Sequence, residues 1–341
     1  MSLTHFSSLA LPAIEDELRA VVGSGPAELH DYYLMMRYHL GWVDEQDAPL
    51  NDPNATGKRI RPLLCVLACE AAGKEWQAAL PMAAAIELLH NFSLLHDDIQ
   101  DNSPLRRGRP TVWKLWGAAQ AINAGDALFT LAHLAPHRLG ERGVSAANVL
   151  AALAEFDRTC LHLTQGQYLD MNFETRAQVT VDEYLTMIGG KTAALIAACT
   201  ELGAVIANAP SAQVGRLREF GRNLGLAFQV QDDWLGIWGD PAVTGKSAAS
   251  DLEKRKKSLP VVFGLERSES FARAYAQPHQ PHESVAALAQ ELDALGAQTY
   301  TLEMARTLTQ AAVDHLRAAR LQGPAALALQ ELTDKLLNRN A

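Results

Sequence analysis

Apolar positions along the chain recur at helical spacing, in long Ala/Leu-rich stretches separated by short breaks. Four stretches carry the pattern most plainly: "AALPMAAAIELLHNFSLLHDD", "AAQAINAGDALFTLAHLAPHRL", "VLAALAEFDRTCLHLTQGQYLDM" and "GRLREFGRNLGLAFQVQDDWLGIWG". Several are apolar on most sides, which suits helices inside a bundle rather than on its rim. Gly and Pro interrupt the pattern near 104–110, 140–143, 189–190, 208–210 and 239–245. Alternating Val/Ile/Thr runs bounded by hairpin turns are nearly absent. Apart from a polar loop at 277–283, "QPHQPHE", no break has linker composition. The pattern predicts an all-α fold, one domain over residues 1–341 built from a single large bundle of roughly ten or more helices.

Composition changes this picture little. Of 341 residues, 48% are hydrophobic and 20% charged, which is ordinary for a globular chain. A formal charge of −9 argues against general nucleic-acid attraction. No uninterrupted apolar run approaches the roughly 20 residues of a membrane span, so no stable membrane insertion is expected. The opening "MSLTHFSSLALPAIEDELRA" lacks a basic segment followed by a long apolar core. A cytoplasmic protein is the expectation. The cysteines, Cys65, Cys69, Cys160 and Cys199, form no C-x-x-C pair and have no nearby His at zinc spacing. They read as reduced, small apolar residues.

Chemistry concentrates at two acidic clusters. "SLLHDDIQDN" places Asp97, Asp98 and Asp101 at the end of an apolar helix, and "FQVQDDWLGIWGD" places Asp232, Asp233 and Asp240 likewise. Cations follow each: Arg106, Arg107 and Arg109 after the first, and Lys246, Lys254, Arg255, Lys256 and Lys257 after the second. On a helix, Asp97 and Asp101 lie about 40° apart, and His90 falls within about 20° of the same line. Oxygen-only clusters suit hard cations, and Mg²⁺ typically takes one or two carboxylates plus substrate phosphates. Carboxylates for Mg²⁺ beside cations for phosphate describe a diphosphate site. The competing reading is a pair of solvated helix ends.

Five stretches resemble one known family in order and separation: "TGKRIRP" (56–62), "HNFSLLHDDIQDNSPLRRGRPT" (90–111), "GGKT" (189–192), "AFQVQDDWLGIWGD" (227–240) and "GKSAASDLEKRKKSLP" (245–260). The chain resembles the trans-isoprenyl diphosphate synthases, or polyprenyl synthetases, from about residue 50 onward. The resemblance implies an isoprenoid-synthase bundle around a central cavity, and condensation of isopentenyl diphosphate with an allylic diphosphate. It assigns Lys58, Arg61, His90 and Arg107 to isopentenyl diphosphate. Arg106, Lys191, Thr192, Gln229, Lys246 and Lys256 fall to the allylic diphosphate. Asp97, Asp101 and Asp232 are the implied Mg²⁺ ligands, with Asp98 and Asp233 in support and three ions when the allylic substrate is bound. A homodimer is the family's habit.

Two positions depart from the family pattern. The second motif usually carries a third Asp where this chain has Gly236, and the following loop commonly has a glycine where this chain has Ala249. Product length in the family is set beneath the first motif, at Leu89, Phe92 and Ser93 here. One aromatic with a small neighbour implies a C20 product, geranylgeranyl diphosphate, with C15 or longer chains as alternatives. A class I terpene cyclase and a non-catalytic subunit of a heteromeric synthase remain as alternative functions. His96 and His162 read as structural histidines, "GGKT" alone as a plain turn, and "KRKK" apart from Lys256 as solvated surface. Trp113, Trp116, Trp234 and Trp238 read as core or interface aromatics.

Overall fold

The structure, a computed structural model, describes residues 2–50, 52, 54–240, 249–277 and 282–337. As the periodicity predicts, helix follows helix: α1 Leu3–Val22, α2 His30–His39, α3 Ile60–Ala71, α4 Leu80–Gln100, α5 Val112–Trp116, α6 Ala118–Leu134, α7 Ala146–Thr175 and α8 Val181–Ile188. Then come α9 Ala194–Ile206, α10 Ser211–Trp238, α11 Ser250–Glu253, α12 Leu259–Arg267, α13 Glu269–Tyr275, α14 His282–Ala294, α15 Ala297–Ala318 and α16 Gly323–Leu337. The only paired strands among the described residues, Leu105–Arg106 and Arg109–Pro110, form a two-residue antiparallel ladder. They close a hairpin whose central residues, Arg107 and Gly108, have φ of 51° and 75°. Both are left-handed, as a two-residue turn matched to strand twist requires.

The chain divides into two compact units. The first comprises Met1–Phe156, Cys199–Pro210 and Gln322–Leu329. Its core is built on α4, where every residue from Leu80 to Leu89 is buried. Each fully buried Leu or Ile there contributes about 2 kcal/mol of transfer free energy. The second unit comprises Asp157–Ala198, Ser211–Leu321 and Gln330–Ala341. Two apolar clusters fill it, one around Tyr184, Val230 and Leu259. The other gathers around Ile237, Leu252 and Phe271.

Two helical stretches, Trp76–Gln100 and Val181–Ile206, are long and apolar enough by composition to cross a bilayer. Neither is an uninterrupted apolar run, because isolated polar residues interrupt both without removing their apolar average. In the protein, 83% and 67% of these windows are buried. The four cysteines are free and buried, as expected. Burial pushes the thiols of Cys69, Cys160 and Cys199 up to about 12.

Candidate active site

In the first unit, the acidic motif occupies the last turn of α4. Asp101 closes the helix, its N–H donating to the Asp97 carbonyl at 2.8 Å. Asp97 is half-buried and Asp101 exposed. Asp98 turns inward, with both carboxylate oxygens accepting from Arg106 Nε at 2.8 and 2.9 Å. Burial pushes Asp98 up to about 6, against the pull of the Arg106 charge. Asp98 thus fixes an arginine, while its two neighbours keep the helix end.

The hairpin after α4 aims the arginines. Arg107 Nη1 donates to the Ala55 carbonyl at 2.9 Å. Gly57, at φ 76°, makes room for it: a Cβ there would stand 2.8 Å from Arg107 Nη2. Arg109 is structural, donating to the Tyr38 and Val43 carbonyls at 3.1 and 2.8 Å and lying 3.9 Å over the Tyr38 ring. Arg61 Nη1 lies 3.2 Å from His90 Nε2. Since guanidinium only donates, that nitrogen accepts and His90 is neutral. Burial holds His90 well below the ordinary histidine range, helped by the charges of Arg61, Arg107 and Arg106. Arg61, His90, Arg106 and Arg107 therefore share one electrostatic neighbourhood. Lys58 is exposed, next in sequence to Gly57.

Two residues of this region escaped sequence reasoning. Arg59 is 5% exposed and pairs with Glu15 at 2.6 Å and Glu87 at 2.7 Å, a buried brace. His39 packs near Arg106 and Arg107, and burial with those charges lowers it to about 3. Neither carries a local signal, since their partners lie tens of residues away.

Beneath the motif, Phe92 stands 4.6 Å from the His96 ring and 4.9 Å from Phe129 of α6. The column continues through His133 to Phe156, with centroids 4.4 and 5.2 Å apart. Leu89 is fully buried, and Ser93 turns its hydroxyl onto the His90 carbonyl at 2.8 Å. His96 is structural as expected: a Cβ on Gly125 would meet its Nε2 at 2.3 Å.

The second unit is organised around Asp233. This carboxylate is 5% exposed and accepts from Tyr184 Oη at 2.5 Å, the Leu259 N–H at 2.8 Å and Gln229 Nε2 at 2.9 Å. Burial pushes Asp233 up to about 7 although all three bonds favour the anion. Thr192 donates to Gln229 Oε1 at 2.9 Å, extending the chain of bonds. Asp232 beside it stays half-buried.

"GGKT" is not a plain turn. Gly189–Ala193 is a π-helical turn inside continuous helix, a distortion frequent at functional sites. Gly190 of the turn and Gly166 of α7 let the two helices approach: a Cβ on Gly190 would stand 2.6 Å from the His162 carbonyl oxygen, and one on Gly166 2.0 Å from the Lys191 nitrogen. Lys191 Nζ pairs with Asp170 of α7. His162, expected to be structural, is exposed and lines a cavity of about 650 Å³ with Tyr168, Leu185, Gly190 and Arg222. None of the acidic motif lines that cavity.

Lys256 is exposed, its N–H donating to the Asp251 carbonyl and its carbonyl accepting from Tyr275 Oη at 2.8 Å. The neighbouring cations are not free surface, because Arg255 and Lys257 pack over the Tyr275 ring at 4.9 and 5.2 Å. Lys246 lies outside the described residues. Trp113 and Trp238 anchor by Nε1 to the Ser103 carbonyl and Asp293, at 2.9 and 2.7 Å. Among the described residues no group of three or more His, Cys, Asp or Glu side chains is placed to hold a metal ion.

Fold and side chains together define a class: all-helical proteins that end apolar helices in aspartate motifs set beside arginine and lysine. Residues 47–292 match the polyprenyl synthetase family. The chain is 42% identical over 315 residues to the (2E,6E)-farnesyl diphosphate synthase of Mycobacterium tuberculosis, covering 90% of this chain and 86% of that protein. Geranylgeranyl pyrophosphate synthetase from Pyrococcus horikoshii superposes with a TM-score of 0.88 at 31% identity, covering 99% and 98% of the two chains. Geranylgeranyl pyrophosphate synthase from Corynebacterium glutamicum, solved with isoprenyl diphosphate and magnesium, gives 0.82 at 26% identity with both chains fully covered. The chain belongs to the polyprenyl synthetase family. It is a prenyltransferase, and its named relatives make short chains.

Proposed function

We propose that this protein condenses isopentenyl diphosphate with allylic diphosphates of five to fifteen carbons and releases geranylgeranyl diphosphate. The observation that carries the reading is the end of α4. There Asp98 ties down Arg106 while Asp97 and Asp101 keep the helix terminus, close in sequence to the Arg107 hairpin. Oxygen donors one turn apart, without Cys or His among them, fit a hard cation that retains waters and substrate oxygens. Asp97, Asp101 and Asp232 would hold Mg²⁺, three ions with the allylic substrate bound. Bound Mg²⁺ supplies charge neutralisation to the departing diphosphate.

The chain's own residues do the rest. Arg61, Arg107 and Lys58 bind isopentenyl diphosphate, and neutral His90 orients Arg61 by accepting its N–H. Arg106, Lys191, Thr192, Gln229, Lys246 and Lys256 bind the allylic diphosphate and stabilise charge as its C1–O bond breaks. The double bond of isopentenyl diphosphate then forms the new C–C bond with the allylic cation. The released diphosphate takes the proton lost in restoring the alkene. The apolar wall of α4 excludes water that would quench the cation.

Product length rests on Phe92, which closes the wall against Phe129 while Ser93 leaves space beside it. A homodimer is supported by exposed Leu161, Tyr168 and Met171 on α7, 56%, 67% and 42% accessible. In this reading the enzyme is cytoplasmic. Incubation with Mg²⁺, isopentenyl diphosphate and separate C5, C10 and C15 primers tests this. C20 product from every primer is expected. An end at C15 or beyond C20 overturns the length, and no elongation with any primer overturns the reaction. Cyclic hydrocarbon from one allylic substrate would instead establish a cyclase.

A further inference from the structure

The end of α2 is docked onto the arginine hairpin by bonds in both directions. Tyr38 Oη donates to the Pro110 carbonyl at 2.7 Å, and Arg109 Nη1 donates to the Tyr38 carbonyl at 3.1 Å. His39, the last residue of α2, is thereby held behind Arg106 and Arg107. Its ring bonds the Asn91 backbone carbonyl on α4, while its Nε2 is buried with no hydrogen-bond partner among the described residues. The bond to a carbonyl makes Nδ1 the donor, which leaves Nε2 a bare acceptor. A cavity of about 20 Å³ lies beside the ring, lined by His39, Ala55, Asp98, Arg106 and Arg107. A single water needs roughly 10–15 Å³ and at least two polar partners, and this cavity offers both.

The two arginines are held differently. Arg106 Nε is gripped by both oxygens of the Asp98 carboxylate. Arg107 has a neutral anchor, the Ala55 carbonyl on its Nη1. Burial and the charges of Arg59 and Arg106 oppose its cation, against the pull of Glu87 and Asp98. A guanidinium with five N–H donors calls for further acceptors there. We propose that His39 is a positioning residue for Arg107. Its bare Nε2, through one water in the cavity, accepts from the guanidinium and fixes the angle at which Arg107 meets isopentenyl diphosphate. A neutral acceptor suits the place: a carboxylate would compete with the substrate phosphate for the arginine, and a cation would repel it. The inference rests on the assignment of Arg107 to isopentenyl diphosphate made above.

The test measures isopentenyl diphosphate binding by isothermal titration calorimetry on the full chain, beside KM and kcat for both substrates. His39→Asn keeps the donor to Asn91 and loses the acceptor. It is expected to weaken isopentenyl diphosphate binding about tenfold, the scale of one hydrogen bond to a charged group. The allylic KM and kcat should stay within about twofold, because Asp98 holds Arg106 independently. His39→Gln, whose amide oxygen reaches the Nε2 position, should return binding to within about threefold of wild type. A role confined to the Asn91 bond would be kept by Asn instead. In an Arg107→Gln background His39→Asn should add less than about twofold, since both act through one group. Thermal melting confirms that each variant is folded. Unchanged binding in folded His39→Asn, a Gln variant no better than Asn, or full additivity with Arg107→Gln overturns the inference. Wild-type protein that neither binds isopentenyl diphosphate nor elongates would instead sink the reading on which it rests.

Discussion

The two aspartate motifs look alike in sequence and are built differently. In each, the first acid stays half-exposed and the second turns inward. The inward acid of the first motif, Asp98, holds one arginine supplied eight residues downstream. The inward acid of the second, Asp233, is saturated by three donors from three helices: Tyr184 of α8, Gln229 of α10 and the first N–H of α12. One motif is locally complete and the other is assembled from a distance. Adjacent acids thus differ in setting, the outer one half-exposed and the inner one buried among hydrogen bonds.

The largest effect expected falls on the outer acids. Asp97→Asn and Asp232→Asn should each lower kcat by about 10³-fold, the scale of removing a preorganised electrostatic group. A loss confined to Asp97 in steady-state assays would reduce the second motif to scaffold. Stability separates the inner acids. Asp233→Asn strands buried donors and should cost about 2–3 kcal/mol in urea unfolding. Asp98→Asn should cost about 1 kcal/mol, because Arg106 is 30% exposed and keeps water as a partner. Equal losses would dissolve the contrast.

In the first region two buried histidines make stability depend on pH. His39 and His90 are held neutral in the fold, His39 down to about 3 and His90 well below its ordinary range. An unfolded histidine takes up a proton below about pH 6.5. The folded protein then binds fewer protons than the unfolded chain, and stability falls as pH drops from 6.5. Each histidine contributes about 1.4 kcal/mol per pH unit. His39→Asn should remove its share of that slope, and identical slopes in both proteins would show that His39 protonates freely in the fold.

Phe92→Ala should lengthen the product by about one or two C5 units on chromatography, while the second motif's surroundings leave length alone. Unchanged products would remove Phe92 as the floor. The smallest effect is expected at Ala249, whose φ of 57° lies in the left-handed region. Ala249→Gly relieves about 1–2 kcal/mol of strain and loses about half of that to unfolded-state entropy. A net gain of about 0.5 kcal/mol in denaturation midpoint is the expected outcome. That φ also explains why glycine is common there in the family.

Much of this protein is legible without coordinates, because helix periodicity and acidic motifs are local. The all-α class follows from the spacing of apolar residues, and the family from five short stretches in order. Asp97, Asp98 and Asp101 could be read as one face because helix geometry is set within a turn. The Arg59 brace, neutral His39, the π-turn at 189–193 and the Phe92–Phe129 stack could not, since each depends on partners brought together by folding. Gly236 shows the division most clearly. In the sequence it reads as a missing acid. Only folding brings the Asp251 carboxylate beside it, where a Cβ would meet Oδ2 at 2.3 Å, because burial of apolar surface, unlike helix period, acts between residues of any separation.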